Sequence, residues 1–369
     1  MELLRAAPGA EIVLAAVAGE PGVYVVGGAV RDVLLNTPPR ELDLVVEGDA
    51  VAVARRAAER VGGTLTVHDR FGTATVRTNG FAFDVAGART ETYARPGALP
   101  DVRLGATIEQ DLERRDFTVN AIARRLADGE VVAYPGARED LEHRVLRVLH
   151  ERSFADDPTR MLRLVRYAAR LGFAPAPSTE ALIDPALLAT VSGDRAGNEL
   201  RLLLDEPPPA LELFAPLAAP LLGEAFEYRD VGLTGPLALA ACCTNVPDLR
   251  ERLDHLGFPA RERDVIVAAA TNFERLQPLP ETDDGLWRAL RRHNPETVEL
   301  LAAAGVPGAR RWLDDVRHRK LAITGDDLVA AGLTGAAVGE ALVRATQAML
   351  DGRAPDREAQ LHAALTSEA

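Results

Sequence analysis

Short apolar runs bounded by polar turns dominate the first third of the chain. Val23 to Val26, Leu42 to Val46, Thr64 to Val67, Thr73 to Arg77 and Phe81 to Val85 carry the β-branched and aromatic residues that suit packed strands. Between them, Ala50 to Val61 places its apolar residues at helical spacing. Beyond about residue 140 the pattern is almost wholly helical, with breaks at Pro175-Ala-Pro177, Glu206-Pro-Pro-Pro209, Gln277-Pro-Leu-Pro280 and Gly305-Val-Pro-Gly308. The expectation is an α+β chain: a mixed α/β head over 1–125, then a helical neck over 126–205, a body over 206–308 and a tail over 309–369. A length of 369 residues agrees, being too long for one ordinary core. No internal repeat stands out.

The first of these runs ends in Gly27-Gly28 and a helix start, Ala-Val-Arg31-Asp32, and the next carries Glu41 and Asp43. Acids two apart on a strand share a face, and a glycine turn into a helix can cradle phosphate. Phosphoryl and nucleotidyl transfer need position and positive charge more than covalent help, so paired carboxylates holding Mg²⁺ beside a triphosphate make chemical sense. A solvated strand face is the plain alternative for the acid pair. It is disfavoured because Leu42, Leu44, Val45 and Val46 are all apolar, which suits a buried strand where unpaired carboxylates are costly. The double glycine alone is weak, and a third glycine that would mark a dinucleotide fingerprint is missing.

A helix expected from about Asp156 sets Arg160, Arg163, Arg166 and Arg170 within one 120° arc, with Met161, Leu164, Val165 and Ala168 on the other side. Asp156 or Asp157 can cap it and Pro158 fits its first turn. From pattern alone, Asp157 is either a cap or a functional acid, and the arginines either salt-bridged, solvated or functional.

Together these segments resemble the tRNA nucleotidyltransferase and bacterial poly(A) polymerase family of polymerase-β-like nucleotidyltransferases. Gly-Gly-Ala-Val-Arg-Asp with the downstream acid pair matches its head, Arg114-Arg115-Asp116-Phe117-Thr118-Val-Asn120-Ala121 its ribose and triphosphate motif, Asp157 to Arg166 its nucleotide-selecting helix, and Leu321 to Gly339 its tail. Glu41 stands where the family usually has Asp. The resemblance implies a mixed-sheet head followed by an all-helical neck, body and tail. It also implies addition of C and A from CTP and ATP to the 3′ end of tRNA without a template.

Carried residue by residue, Glu41 and Asp43 would hold the metal, and Asp84, an acid in the apolar run Phe81 to Val85, would assist the attacking hydroxyl. Gly27, Gly28, Arg31 and Arg115 would meet the triphosphate, and Asn120 the ribose side. Asp157 and Arg160 would read the base edge, with Arg163 and Arg166 near the nucleotide. Arg31 or Arg115 could instead be a surface ion pair, and Asp84 a structural acid. His68 and His150 have no partner at ligand or triad spacing and receive no role.

Arg89 to Gln110 reads as a loop rich in Gly and Pro. The family's CC-only members shorten this connection, so its full length here disfavours that activity. Addition of A alone, or poly(A) synthesis, stays open, as does an inactive RNA-binding protein that keeps the fold.

A net charge of −13 argues against a uniformly RNA-attracting surface, yet 41 of the 42 basic residues are Arg, which suits phosphate and base contacts. The cluster Arg310 to Lys320 is either a solvated helix face or an RNA backbone contact. No apolar run is long enough for a membrane span and Met-Glu-Leu-Leu-Arg lacks a basic signal-peptide start, so cytoplasm is the expected location. Cys242 and Cys243 read as small core residues.

Overall fold

The computed structural model describes residues 2–68 and 72–366, and divides into two compact units, 1–221 and 222–369. In the first unit, Val23–Val26 (β1), Asp43–Val46 (β2), Thr64–His68 (β3), Thr73–Thr78 (β4), Phe81–Gly87 (β5), Ile122–Arg125 (β8) and Val131–Ala133 (β9) form a seven-stranded sheet in the order β3-β4-β5-β2-β1-β8-β9. β2 and β5 run parallel and the other neighbours antiparallel, the mixed sheet expected for the head. Parallel neighbours need a crossover. Here it is the helix Ala50–Val61 (α2), capped by the Asp49 side chain and burying Val53, Ala54, Ala57 and Ala58. Helices Gly28–Leu34 (α1) and Ile108–Glu113 (α3) also belong to the head, besides Glu2–Arg5 and Ala10–Ala16, and the helix Ile108–Glu113 is capped by a Thr107/Gln110 capping box.

Two local expectations are corrected. The stretch taken as a loop contains a hairpin of its own, Arg89–Thr92 (β6) against Asp101–Leu104 (β7). Its strands are only four residues each and largely polar, too short to raise a periodic signal. The sheet also continues past residue 125, because β9 pairs with β8 through Ile122↔Ala133. Further on, Val145–Leu146 (β10) and Ala174–Pro175 (β11) form a small parallel pair among the helices that follow.

The helix Thr159–Leu171 (α4) carries the arginine stripe; Arg160 and Arg166 are buried, and Arg163 and Arg170 are partly buried. Arg166 is 6% exposed and pairs with Glu199 and Glu206, while Arg170 also bonds Glu206; both acids lie on or just beyond the helix Gly193–Leu204 (α5). Charge pairing lets a helix that is apolar on one face and basic on the other be covered on both.

The second unit is helical throughout its described elements. Ala260–Arg275 is its longest helix, and a small cluster of Ile323, Leu328, Ala341, Ala345 and Ala364 closes its C-terminal part. Cys242 and Cys243 are buried, as small core residues would be. Much of the charge in the Arg310 to Lys320 cluster is met locally: Arg311 and Arg319 pair with Asp283, and Arg317 lies over the Trp312 ring.

Removing the buried acid shared by the buried Arg166 and the partly buried Arg170 leaves charge uncompensated, so Glu206→Ala is expected to destabilise the first unit by about 3 kcal/mol in urea unfolding. Glu206→Gln, which keeps an acceptor, should cost less.

Candidate active site

At the end of β1 the chain turns sharply at Gly27, whose φ of +67° lies in the left-handed region. A Cβ at Gly27 would also lie 2.9 Å from the Arg115 guanidinium, so both backbone conformation and close approach require glycine there. The Gly27 N–H donates to the Ile122 carbonyl at 2.9 Å, anchoring the turn to β8. Arg115 is oriented by its Nη2, which donates to Asp111 Oδ2 at 3.0 Å, while its Nε is buried with no hydrogen-bond partner.

Facing this turn is the acidic wall. Asp43 begins β2, and the β2–β5 register Leu44↔Val85, continued one residue back, sets it beside Asp84 on the same face. Burial among its neighbours raises the Asp43 pKa, the Glu41 and Asp84 charges raise it further, and Arg115 and Arg163 oppose them. Asp84 Oδ1 accepts from Thr75 Oγ1 at 2.6 Å, and His68 Nε2 lies 3.3 Å from the same hydroxyl. His68 therefore has a partner that sequence spacing did not reveal, reached across strands rather than along them.

The third wall is α4. Asp157 Oδ1 accepts from the Thr159 backbone N–H and hydroxyl and from Arg195 Nη2 at 2.8 Å, so Asp157 does act as a cap, with all three bonds on one oxygen. Arg160, 5% exposed, is held by Ser153 Oγ at 2.7 Å and the Arg114 carbonyl at 2.7 Å. Asp116 binds the walls together: its Oδ1 accepts from Phe117 N–H and the Asn120 amide, its Oδ2 from Arg163 Nε at 2.8 Å. Burial alone would raise the Asp116 pKa, but Arg163 and the Asn120 hydrogen bond hold it at about 2.

Gly27, Gly28, Asp43, Arg115, Asn120, Asp157, Arg160 and Arg163 all line a cleft of about 250 Å³. Glu41 and Asp84 stand outside its described walls while remaining within charge range of Asp43. Two further expected contacts are also turned elsewhere. Arg31 is 3% exposed and its guanidinium is committed to Asp32 (2.6 and 2.8 Å) and Asn120 Oδ1 (2.7 Å). Arg166 is held in its pair of carboxylates. Both sit where burial favours an internal ionic partner over a solvent-facing ligand.

Several cleft residues were missed. Glu91 and Tyr93 come from the unforeseen hairpin and Tyr167 from the turn after Arg163. Asp111 could have been found, lying three and four residues before Arg114 and Arg115 on one helix face. Glu199 and Arg195 lie more than thirty residues from their partners and leave no local signal.

The donor set suits a hard divalent cation that keeps water and substrate phosphate among its ligands. It offers the Asp43 carboxylate, whose proton affinity is raised by burial and by the Glu41 and Asp84 charges, next to an Arg115 Nε that is buried and without a partner among the described residues. Among the described residues no three His, Cys, Asp or Glu side chains form a ready-made cage.

A family model for the poly A polymerase head domain matches residues 23–147. The CCA-adding enzyme of Geobacillus stearothermophilus is 31% identical over 392 residues, covering 92% of this chain and 91% of its own. The chain belongs to the tRNA nucleotidyltransferase and poly(A) polymerase family. Within that family, the Geobacter sulfurreducens A-adding tRNA nucleotidyltransferase is 32% identical over 93% of this chain, of which the match spans 45% of the relative. The chain thus spans about half the length of the curated A-adding relatives of this kind. The Thermotoga maritima CCA-adding enzyme, solved in complex with tRNA_CCA, superposes with a TM-score of 0.78 at 27% identity, over 96% of this chain and 93% of that one. The family's mixed-sheet head and helical remainder are what the fold displays. Among the described residues no helix is long and apolar enough to cross a membrane.

A carboxylate with a raised native pKa costs stability at any pH where it is ionised, and the cost vanishes below the unfolded value of about 3.9, where both states carry the proton. Asp43→Asn should therefore raise the melting temperature at pH 7 in chelator, with the gain shrinking as pH falls and vanishing only at about pH 3, below the unfolded value. Thermal unfolding across that range measures it.

Proposed function

We propose that this chain is a tRNA nucleotidyltransferase, adding C and A from CTP and ATP to the 3′ end of tRNA in the cytoplasm, without a nucleic-acid template and with release of pyrophosphate. What supports the reading most is one cleft lined both by Asp43 beside the glycine turn and by Asp157 and Arg160 of the selecting segment. The family's CCA-adding members, matched over nearly the whole chain, support it as well.

In this reading the RNA 3′ hydroxyl attacks the α-phosphate, a new P–O bond forms, and the bond to the β-phosphate breaks in line. Arg115 and Arg163 bind phosphate oxygens and fix the triphosphate, so that attacking and leaving oxygens are aligned before reaction. Glu41 and Asp43 would hold Mg²⁺, which supplies charge neutralisation on those oxygens when bound. Asp84, whose Oδ1 accepts from Thr75 and whose Oδ2 has no partner among the described residues, would take up the hydroxyl proton as the new P–O bond forms. Arg31 acts through Asn120 and Arg166 through Glu199, as positioning residues.

Base choice follows from donors and acceptors. Cytosine and adenine each offer an amino group beside a ring acceptor, which a carboxylate and a guanidinium match. Uracil and guanine turn a carbonyl toward Asp157, leaving buried groups unpaired at about 1–3 kcal/mol each. The neck, body and tail assigned from the sequence would hold the acceptor arm. Addition of A alone is the second reading, favoured by the A-adding relative's 32% identity.

Offered tRNA transcripts ending before the first C, after one C and after both, with each nucleoside triphosphate in turn, the protein should extend all three to CCA. Extension of only the last, by ATP, would establish the A-adding alternative, and no magnesium-dependent incorporation into any would leave an inactive RNA binder. Arg160→Ala should raise UTP and GTP misincorporation about tenfold or more, corresponding to about 1.4 kcal/mol of lost discrimination. Unchanged fidelity in that variant would remove Arg160 from base reading.

A further inference from the structure

A second cleft, of about 340 Å³, lies where α1 and the strand-leading segment around Arg40 meet the far end of α4. Its floor is apolar, from Leu35, Leu171 and Phe173, and four guanidiniums reach it. Two of these are spoken for: Arg31 by Asp32 and Asn120, Arg170 by Glu206. The other two, Arg40 and Arg144, are exposed and have no carboxylate partner among the described residues. Arg144 is moreover held at φ +58°, a left-handed conformation that a residue with its bulk adopts only at a cost of about 1–3 kcal/mol. In a chain where most arginines of this unit are ion-paired, two free ones facing the same cleft leave a concave surface with uncompensated positive charge.

The cleft's position gives that charge a use. Arg160 and Arg163 line the first cleft and Arg170 the second, so α4 joins them over ten residues, about 15 Å. Tyr167 and Arg31 stand between: Arg31 lies over the Tyr167 ring at 5.5 Å and binds Asn120, a residue of the first cleft, while itself lining the second. A polyanion whose end occupies the first cleft would reach the second with phosphates a few units back. Arg guanidiniums bind such groups bidentately. The site's free charge is +2, which suits backbone phosphate better than a triphosphate with its larger charge.

We infer that Arg40 and Arg144 form a phosphate-binding cleft for the backbone of the RNA substrate, separate from the nucleotide site and contributing affinity rather than base choice. This rests on the function proposed above. The test measures binding of a labelled tRNA transcript lacking its terminal A across a salt series, for the wild type, Arg40→Gln/Arg144→Gln and Arg40→Lys/Arg144→Lys. Each lost phosphate contact should lower the slope of log affinity against log salt by about 0.7–0.9. The Gln pair should therefore lose roughly 1.5 in slope and bind more weakly, the Lys pair should keep most of the slope, and KM for ATP should not change in either. Equal slopes in wild type and Gln pair, or a rise in KM for ATP as large as the loss of RNA affinity, would overturn the inference. A wild type that extends the transcript while showing equal slopes sinks only this inference, whereas a wild type that neither binds nor extends it sinks the function on which it rests.

Discussion

A single buried carboxylate holds the two halves of the site in one place. Asp116 receives the Asn120 amide and the Phe117 backbone on one oxygen and the Arg163 guanidinium on the other, so the turn after the head helices and the helix α4 are tied through one anion. Charge-assisted bonds of this kind are strong and directional in a buried setting. Arg163 passes the connection to Tyr167 and Glu199, and Asn120 passes it to Arg31. Asp43 and Asp157 thus line one cleft whose width is set by hydrogen bonds rather than by loops.

The same logic explains why so many arginines of α4 are ion-paired. A helix whose arginines all faced water would be free to rotate about its apolar stripe. Fixing Arg163, Arg166 and Arg170 against Asp116, Glu199 and Glu206 defines its rotation and leaves Arg160 with its bonds to Ser153 and a backbone carbonyl at the cleft. Buried ion pairs add little net stability, but here they commit each guanidinium to one partner and so to one arrangement. The opposite condition holds at Asp43, where like charges are gathered and left for a ligand to neutralise. One region is internally satisfied and the other is not, and the contrast separates scaffold from candidate chemistry.

Expected and observed roles part company along the same line. Arg31 and Arg166 sit in motifs and were read as nucleotide contacts, yet their guanidiniums are consumed by internal partners. Asp157 proved to be a cap and a cleft residue at once, because a carboxylate has two oxygens and the cap takes only one. His68 reached Thr75 and Asp84 through strand pairing that places residues seven and nine apart side by side.

What the sequence determined by itself is local: strands at Val23 to Val26 and Phe81 onward, the helix Ala50–Val61 to the residue, the glycine turn, and the acids two apart, all fixed by periodicity and backbone preference over a few residues. The tertiary structure alone decided which charges are spent on one another and which are left facing a cleft. Partners such as Arg163 with Glu199, or Asp157 with Arg195, lie more than thirty residues apart, and desolvation acts on distance in space, which no spacing along the chain records.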